Sequence, residues 1–231
     1  MSTQPALHAF DDGQALAKAL SASIADKLRE AIQARGEAVI AVSGGSTPKR
    51  LFELLSNEVL DWSRVTVTLV DERWVPDSDE RSNARLVESV LLQHKAADAE
   101  FMPLYVEAAT PEAGIGEVRT RVAALKQPFD VIVLGMGPDG HTASFFPGGD
   151  RLSEALDTSN TASVLPMRAP GAGEPRITFT LPVLLKARTL YLHIQGEDKR
   201  EVLQRAEQPR SDLPIASVLR ASRPLDIYWC P

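Results

Sequence analysis

Three short apolar runs in this chain each stop abruptly in a turn of glycine or charged residues, and this pattern constrains the fold more than any other feature. The runs and the turns that follow them are 38–42 with SGGSTP, 65–70 with DERWVP, and 129–134 with GMGPDG. Buried strands of parallel sheets are continuously apolar, and open α/β sheets bind ligands at the carboxyl ends of their strands. The pattern therefore predicts buried strands whose ends form a ligand crevice.

Amphipathic helices are predicted between the strands. Apolar residues recur at helical spacing from Leu16 to Ile32, with Asp11 or Asp12 near the start and Gly36 as the stop. Further helices are predicted around 51–55, 82–91, 111–125, 181–186 and 198–206, and further strands at 162–165, 177–180, 189–194 and 225–229. This alternation predicts the α/β class: a mainly parallel open, Rossmann-like sheet with helices on both faces, in a single domain spanning 1–231.

Composition excludes several classes of protein. The 231 residues are 44% hydrophobic and 24% charged, which is typical of a globular protein, and the net charge of −6 comes without a Lys/Arg block. We therefore expect neither nucleic acid nor a membrane surface as a partner. The N-terminus lacks a signal-peptide pattern, no stretch could span a bilayer, and the one cysteine, Cys230, excludes a disulfide framework. These features predict a cytoplasmic protein.

The first turn is suited to binding a phosphate group. Gly44, Gly45, Ser46 and Thr47 precede a predicted helix, and free backbone N–H groups at such a point favour anions. Ser46 or Thr47 could cap that helix, with Pro48 at its first position. A strand-to-helix turn that uses glycine for steric reasons alone explains the pattern equally well.

The second turn carries Asp71, Glu72 and Arg73. Charged groups at a strand end could position a polar substrate or orient a base. A solvated ion-pair patch is the alternative, and by itself it is the more common case. The Pro/Gly-rich segment 166–175 is predicted to be a loop within the domain.

The third turn places His141 two residues after Asp139, where a short helical turn is expected to begin. Histidine is the side chain that titrates near neutrality, so this position suits general acid–base chemistry. A tight turn with a solvated histidine is the alternative. The other histidines, His8, His94 and His193, lack comparable neighbours and are predicted to be structural or exposed.

Together these segments resemble the 6-phosphogluconolactonase family, within the wider group that includes glucosamine-6-phosphate isomerase/deaminase. The resemblance is carried in order by SGGSTPKRLFELL (43–55), VTLVDERWVP (67–76), SN (82–83), VIVLGMGPDGHTASFFPG (131–148), PRITFTLP (175–182) and GEDKREVL (196–203). It covers nearly the whole chain and implies an architecture of the glucosamine-6-phosphate isomerase/ribose-5-phosphate isomerase type.

The resemblance also implies roles for single residues. His141 is similar to the family's catalytic histidine, Asp139 to its orienting partner, and Asp71 and Arg73 to other members of the active-site shell. The loop at 44–47 would hold the substrate's 6-phosphate.

Lys199 and Arg176 would assist that loop, although the residues alone would indicate only an exposed helix charge at Lys199 and a strand-start charge at Arg176. The implied reaction is hydrolysis of a sugar-phosphate lactone, in which His141 takes a proton from the attacking water. The oxyanion would be stabilised by backbone N–H groups of the 135–140 turn or by Arg73. The reaction needs no cofactor and no metal ion, and a monomer or a weak homo-oligomer is expected.

Two other functions compete with this one. An aminosugar-phosphate isomerase/deaminase would carry a glutamate shortly after the histidine, where this chain has Phe146. A non-catalytic sugar-phosphate sensor would need an output module, and only one helix precedes the first predicted strand. The DGH turn and the aromatic residue favour the lactonase over both.

Overall fold

The structure, a computed structural model, describes residues 5–231. Its strands are β1 (Ala6–Ala9), β2 (Ala38–Val42), β3 (Val65–Leu69), β4 (Asp71–Arg73), β5 (Glu100–Met102), β6 (Val131–Leu134), β7 (Val164–Met167), β8 (Arg176–Phe179), β9 (Thr189–Gln195) and β10 (Asp226–Cys230). Its α-helices are α1 (Gly13–Arg35), α2 (Lys49–Leu55), α3 (Asn83–Leu86), α4 (Pro111–Ala124), α5 (Leu152–Leu156), α6 (Leu181–Lys186), α7 (Glu197–Ala206) and α8 (Ala216–Leu219). A π-helical turn, Val87–Leu91, continues α3.

Seven strands form one parallel sheet in the order β1-β10-β9-β6-β2-β3-β5. From β2 the chain runs outward through β3 and β5, then returns to β6 on the other side of β2. The strand order therefore reverses between β2 and β6, and such a point opens a crevice at the carboxyl ends of the two strands. Every residue of β2 and β6 is buried, so both faces of the sheet are covered at its centre. The predicted mainly parallel α/β fold is confirmed.

Local sequence signals explain the longest helix. The side chain of Asp12 accepts a hydrogen bond from the backbone N–H of Ala15, which caps the start of α1. The helix ends at Gly36, whose φ of 84° is left-handed and suits glycine. In its apolar stripe Leu16, Leu20 and Leu28 are fully buried, and Ile32 near the end is partly buried. Both predicted ends of this helix are confirmed.

A second sheet was not predicted. It is antiparallel, in the order β4-β8-β7, and it contains Asp71–Arg73 and Arg176–Phe179. The prediction that Asp71–Arg73 is a turn was therefore wrong, as was the start of the 166–175 loop, because Pro166 and Met167 belong to β7. A three-residue strand of this kind depends on a distant partner, as Arg73 lies opposite Arg176, 103 residues further along the chain. Such a pairing leaves no local periodicity in the sequence.

Smaller differences concern the edges of the main sheet and the third turn. Strands β1 and β5 were not predicted, because each is short and lies at an edge. No helix begins at His141; the chain makes a tight turn closed by an isolated bridge between Thr142 and Phe145, with Ala143 at a φ of 49°.

No helix within residues 5–231 combines the length and the apolar character needed to cross a membrane.

Candidate active site

A cavity of about 300 Å³ opens where the strand order reverses. Its volume is within the range of small-molecule sites. Nine of the ten predicted site residues line it, and the tenth, Asp139, lies behind His141. The lining thus includes the ends of both central strands, the start of the second sheet and Lys199 from α7.

The loop after β2 presents unused backbone donors to this cavity. Within the described residues, no group accepts a hydrogen bond from the backbone N–H groups of residues 44–47. Gly45 has a φ of 93°, and a Cβ on Gly44 would lie 1.9 Å from Oδ1 of Asn83, so both positions require glycine. The predicted side-chain cap was wrong: Pro48 occupies the cap position of α2, and no side chain bonds to the helix there. The hydroxyls of Ser46 and Thr47 are therefore not used for capping.

A buried carboxylate organises the strand end at 71–73. The side chain of Glu72 is fully buried and accepts hydrogen bonds from the backbone N–H groups of Arg73, Asn83 and Ala84 at 2.7–2.8 Å. Burial raises the pKa of Glu72 to about 7, although these three donors oppose the rise. Asn83 in turn donates from its side chain to the backbone carbonyl of Asp71. Glu72 and Asn83 therefore tie this strand end to the loop at residue 44.

Asp71 is almost fully buried and already has partners. Its Oδ2 accepts a hydrogen bond of 2.5 Å from the hydroxyl of Ser144 and lies 3.9 Å from Nη1 of Arg176. The carboxylate thus holds the segment that follows His141 and the guanidinium of β8 in fixed positions. This placement favours an organising role for Asp71 over an independent acid–base role.

Two guanidinium groups face each other across the second sheet. Arg73 and Arg176 are register partners in β4 and β8, and the Nε atom of each is buried without a hydrogen-bond partner in the described part of the chain. Burial lowers the pKa of Arg176, with Arg73 adding to this effect and Asp71 opposing it. Like charges directly opposite each other destabilise a sheet, so both guanidinium groups favour anionic partners at the cavity. Arg176 does begin strand β8, as the sequence indicated, but its side chain is buried at the cavity.

The predicted histidine–aspartate pair is formed. Nδ1 of His141 lies 2.5 Å from Oδ1 of Asp139, which also accepts from the backbone N–H of His141 at 3.1 Å. Partial burial acts to raise the pKa of Asp139, but these hydrogen bonds and the charge of the imidazole hold it below its usual value. An ionised partner requires Nδ1 to carry a proton, so a neutral imidazole keeps its lone pair on Nε2.

An aromatic ring covers one face of this imidazole. The ring centroids of His141 and Phe146 are 4.2 Å apart with an interplanar angle of 30°. The same phenyl ring lies 5.2 Å from the guanidinium carbon of Arg176. Residue 146 therefore offers no carboxylate that could share a proton with His141.

Lys199 joins the site from the first turns of α7. Partial burial lowers the pKa of its ammonium, while Asp198 and Asp139 act in the opposite direction. Lys199 lines the same cavity as His141 and the 44–47 loop. The residue alone indicated an exposed charge on a helix, whereas the side chain of Lys199 is partly buried at the cavity.

The sequence analysis missed His193, which lines the cavity although it is buried. Its Nε2 lies 3.0 Å from the amide nitrogen of Gln195, and burial lowers its pKa to about 4, so its imidazole is neutral near neutral pH. Nothing in its sequence neighbours indicated the cavity. By contrast, His8 pairs with Asp226, and His94 is exposed. Within residues 5–231, no three His, Cys, Asp or Glu side chains are grouped to hold a metal ion.

Comparison with known proteins gives consistent matches over almost the full chain. Residues 11–229 match the family model for glucosamine-6-phosphate isomerases/6-phosphogluconolactonase. The sequence is 54% identical over 228 residues to a 6-phosphogluconolactonase of Rhizobium meliloti (strain 1021), covering 97% of this chain and 98% of that protein.

Solved structures agree with this match. The fold is similar to the crystal structure of a 6-phosphogluconolactonase from Shewanella baltica OS155, with a TM-score of 0.96, 40% identity and 100% coverage of both chains. It is also similar to that of a putative 6-phosphogluconolactonase from Neisseria gonorrhoeae FA 1090, with a TM-score of 0.90 and 35% identity over 98% of this chain and 99% of the other.

Proposed function

Because this chain belongs to the family of glucosamine-6-phosphate isomerases and 6-phosphogluconolactonases, we propose that it hydrolyses 6-phospho-D-glucono-1,5-lactone to 6-phospho-D-gluconate in the oxidative pentose phosphate pathway. The observation that carries the mechanism is the His141–Asp139 pair, which shares one cavity with the 44–47 loop. A base and a phosphate-binding loop on one cavity match the two ends of a sugar-phosphate lactone.

His141 is the general base. Asp139 holds the Nδ1 proton, so Nε2 accepts a proton from water as the water oxygen attacks C1 of the lactone. The carbonyl becomes a tetrahedral oxyanion, and the bond from C1 to the ring oxygen then breaks. The imidazolium returns its proton to the ring oxygen as this bond breaks, which yields the open-chain acid. A positioned base typically contributes ~10²–10⁴-fold to the rate.

The 6-phosphate is held by the loop at residues 44–47 together with Arg176 and Lys199. The unused backbone N–H groups of the loop supply neutral donors. The unpartnered Nε of Arg176 and the ammonium of Lys199 supply positive charge from two different elements. Charge-assisted hydrogen bonds of this type are stronger than neutral ones, so the phosphate accounts for much of the binding energy.

Arg73 is the better candidate for the oxyanion donor. In the 135–140 turn, the backbone N–H groups of Gly135, Gly137 and Gly140 already donate to Ser43, His141 and Gly137. The Nε of Arg73 has no such partner among the described residues. In the same turn, the N–H groups of Met136 and Asp139 also donate to no group in the described part of the chain, and Met136 lines the cavity. Arg73, which donates from Nη1 to the carbonyl of Arg81, is preferred because it adds positive charge at the cavity wall.

Isomerisation or deamination of an aminosugar phosphate fits the site less well. Such a reaction moves protons at more than one position of an open-chain sugar. The residue that packs against the imidazole is Phe146, which can neither accept nor donate a proton. This contact favours the hydrolase within the family.

The test is direct. Purified protein is mixed with freshly prepared 6-phosphoglucono-1,5-lactone, and release of 6-phosphogluconate is followed with a coupled dehydrogenase. We expect a rate well above spontaneous hydrolysis, and a rate equal to that of buffer would refute the proposed function. Activity should persist after exhaustive chelation, and a loss restored by one specific metal ion would refute the metal-free mechanism.

A further inference from the structure

The role of Phe146 is not explained by the mechanism above. It is 4% exposed, and its ring contacts both the imidazole of His141 and the guanidinium of Arg176. A buried phenyl ring that contacts a base on one element and a cation on another can do more than fill space. Its contacts are with groups to which the mechanism assigns chemistry.

The imidazole needs such a contact because it is not enclosed by the fold. The side chain of His141 is 28% exposed, and its single side-chain hydrogen bond among the described residues runs from Nδ1 to Asp139. That bond fixes the ring relative to Asp139 alone, and the Asp139 side chain is itself 41% exposed, so the two side chains can move together. Gly137 approaches the ring edge, since a Cβ built there would lie 2.1 Å from Cε1. The ring of Phe146 is the contact that lies against its face.

We propose that Phe146 is a positioning residue for the lactonase reaction: its ring, stacked on His141, fixes the plane of the imidazole so that Nε2 stays aligned with the attacking water. The inference rests on the proposed function, because it assumes that His141 is the base. Phe146 touches neither the water nor the lactone in this role. It acts through His141, and its removal should lower kcat.

The neighbouring Phe145 provides a matched control. It is the same residue type and is fully buried, but it makes no ring contact with His141 and does not line the cavity. Replacing either phenylalanine by leucine removes a similar volume from the core and should lower thermal stability to a similar degree. The two variants should differ in catalysis alone.

The experiment is a double-mutant cycle measured by lactone hydrolysis. Phe146→Leu should lower kcat by about 10-fold, within the range caused by small displacements of catalytic groups, whereas Phe145→Leu should stay within about 2-fold of the wild type. In a His141→Asn background, Phe146→Leu should lower the residual rate by less than about 2-fold, because there is no base left to position. Should Phe146→Leu fail to fold, Phe146→Met offers a flexible side chain that adapts to an irregular gap, still without the flat ring, and should show the same loss.

A second substrate separates the two contacts of the ring. With phosphate-free glucono-1,5-lactone, the loss in kcat should persist if Phe146 acts through His141, and it should vanish if the ring acts through Arg176. Three results would overturn the inference. The first is an equal loss of kcat in the two phenylalanine variants, and the second is an undiminished loss in the His141→Asn background. The third is a loss confined to KM for the phosphorylated lactone. Absence of hydrolysis by the wild type would instead refute the proposed function, and the inference with it.

Discussion

A single methyl group at Gly137 should displace the imidazole of His141, the proposed general base. An alanine Cβ at this position would lie 2.1 Å from Cε1 and 2.2 Å from Nδ1 of His141, and 2.8 Å from Oδ1 of Asp139. Ordinary contacts begin at 3.4 Å, so the ring must move by 3.4 − 2.1 = 1.3 Å if the backbone stays in place. The backbone at Gly137 does not have a positive φ, so the strain comes from the contact and not from the dihedral angle.

A displacement of this size has a calculable consequence. Misplacing a reacting group by about 1 Å can cost ~10²-fold in rate, so kcat of Gly137→Ala should fall by about two orders of magnitude. Overpacking should also lower the free energy of unfolding by about 1–3 kcal/mol. KM should change little, because the 44–47 loop, Arg176 and Lys199 are left in place.

The assay is steady-state lactone hydrolysis together with thermal unfolding. Gly116→Ala in α4 is the matched control, since a Cβ at that position meets no atom within 4 Å. That variant should keep the wild-type kcat and gain about 0.5–1 kcal/mol in stability, as expected for alanine in a helix. A folded Gly137→Ala protein with wild-type kcat would refute the assigned position of the base.

Three further predictions concern charged groups of the site. Lys199→Ala should weaken binding of the phosphorylated lactone by about 1.5–3 kcal/mol and leave phosphate-free gluconolactone almost unaffected; equal losses on both substrates in KM measurements would place Lys199 elsewhere. His141→Asn should fold normally, bind 6-phosphogluconate nearly as well as the wild type, and lose at least ~10²-fold in rate; retained activity above the spontaneous background would remove histidine from the mechanism. The fold holds the pKa of Asp139 below its usual value, so the ionised carboxylate stabilises the folded state. This stabilisation is present at pH values above the ordinary aspartate pKa and is lost as the pH falls through the lowered pKa of the folded state. The stability difference between the wild type and Asp139→Asn should therefore shrink on acidification, and a difference that grows toward low pH in thermal melts would contradict the assignment.

The sequence by itself determined those features that depend on residues close together in the chain. The apolar stripe of α1, its cap at Asp12 and its stop at Gly36 are all local signals, and they predicted that helix correctly. The same holds for the pairing of His141 with Asp139, which are two residues apart and share one turn. The motif resemblance added the fold type and the function, because the segments that carry it occur in a fixed order along the chain.

The tertiary structure alone decided which distant groups touch. The contact of Asp71 with Ser144 joins residues 73 positions apart, and β4 becomes a strand only because β8 lies beside it. Similarly, nothing near His193 in the sequence indicates that it lines the cavity. Three-residue strands and single buried contacts have no periodicity of their own, since their stability comes from partners that only the folded chain brings close. The contact between His141 and Asp139 was therefore predictable from the sequence, whereas the packing of Phe146 against the imidazole and the pairing of Arg73 with Arg176 were not.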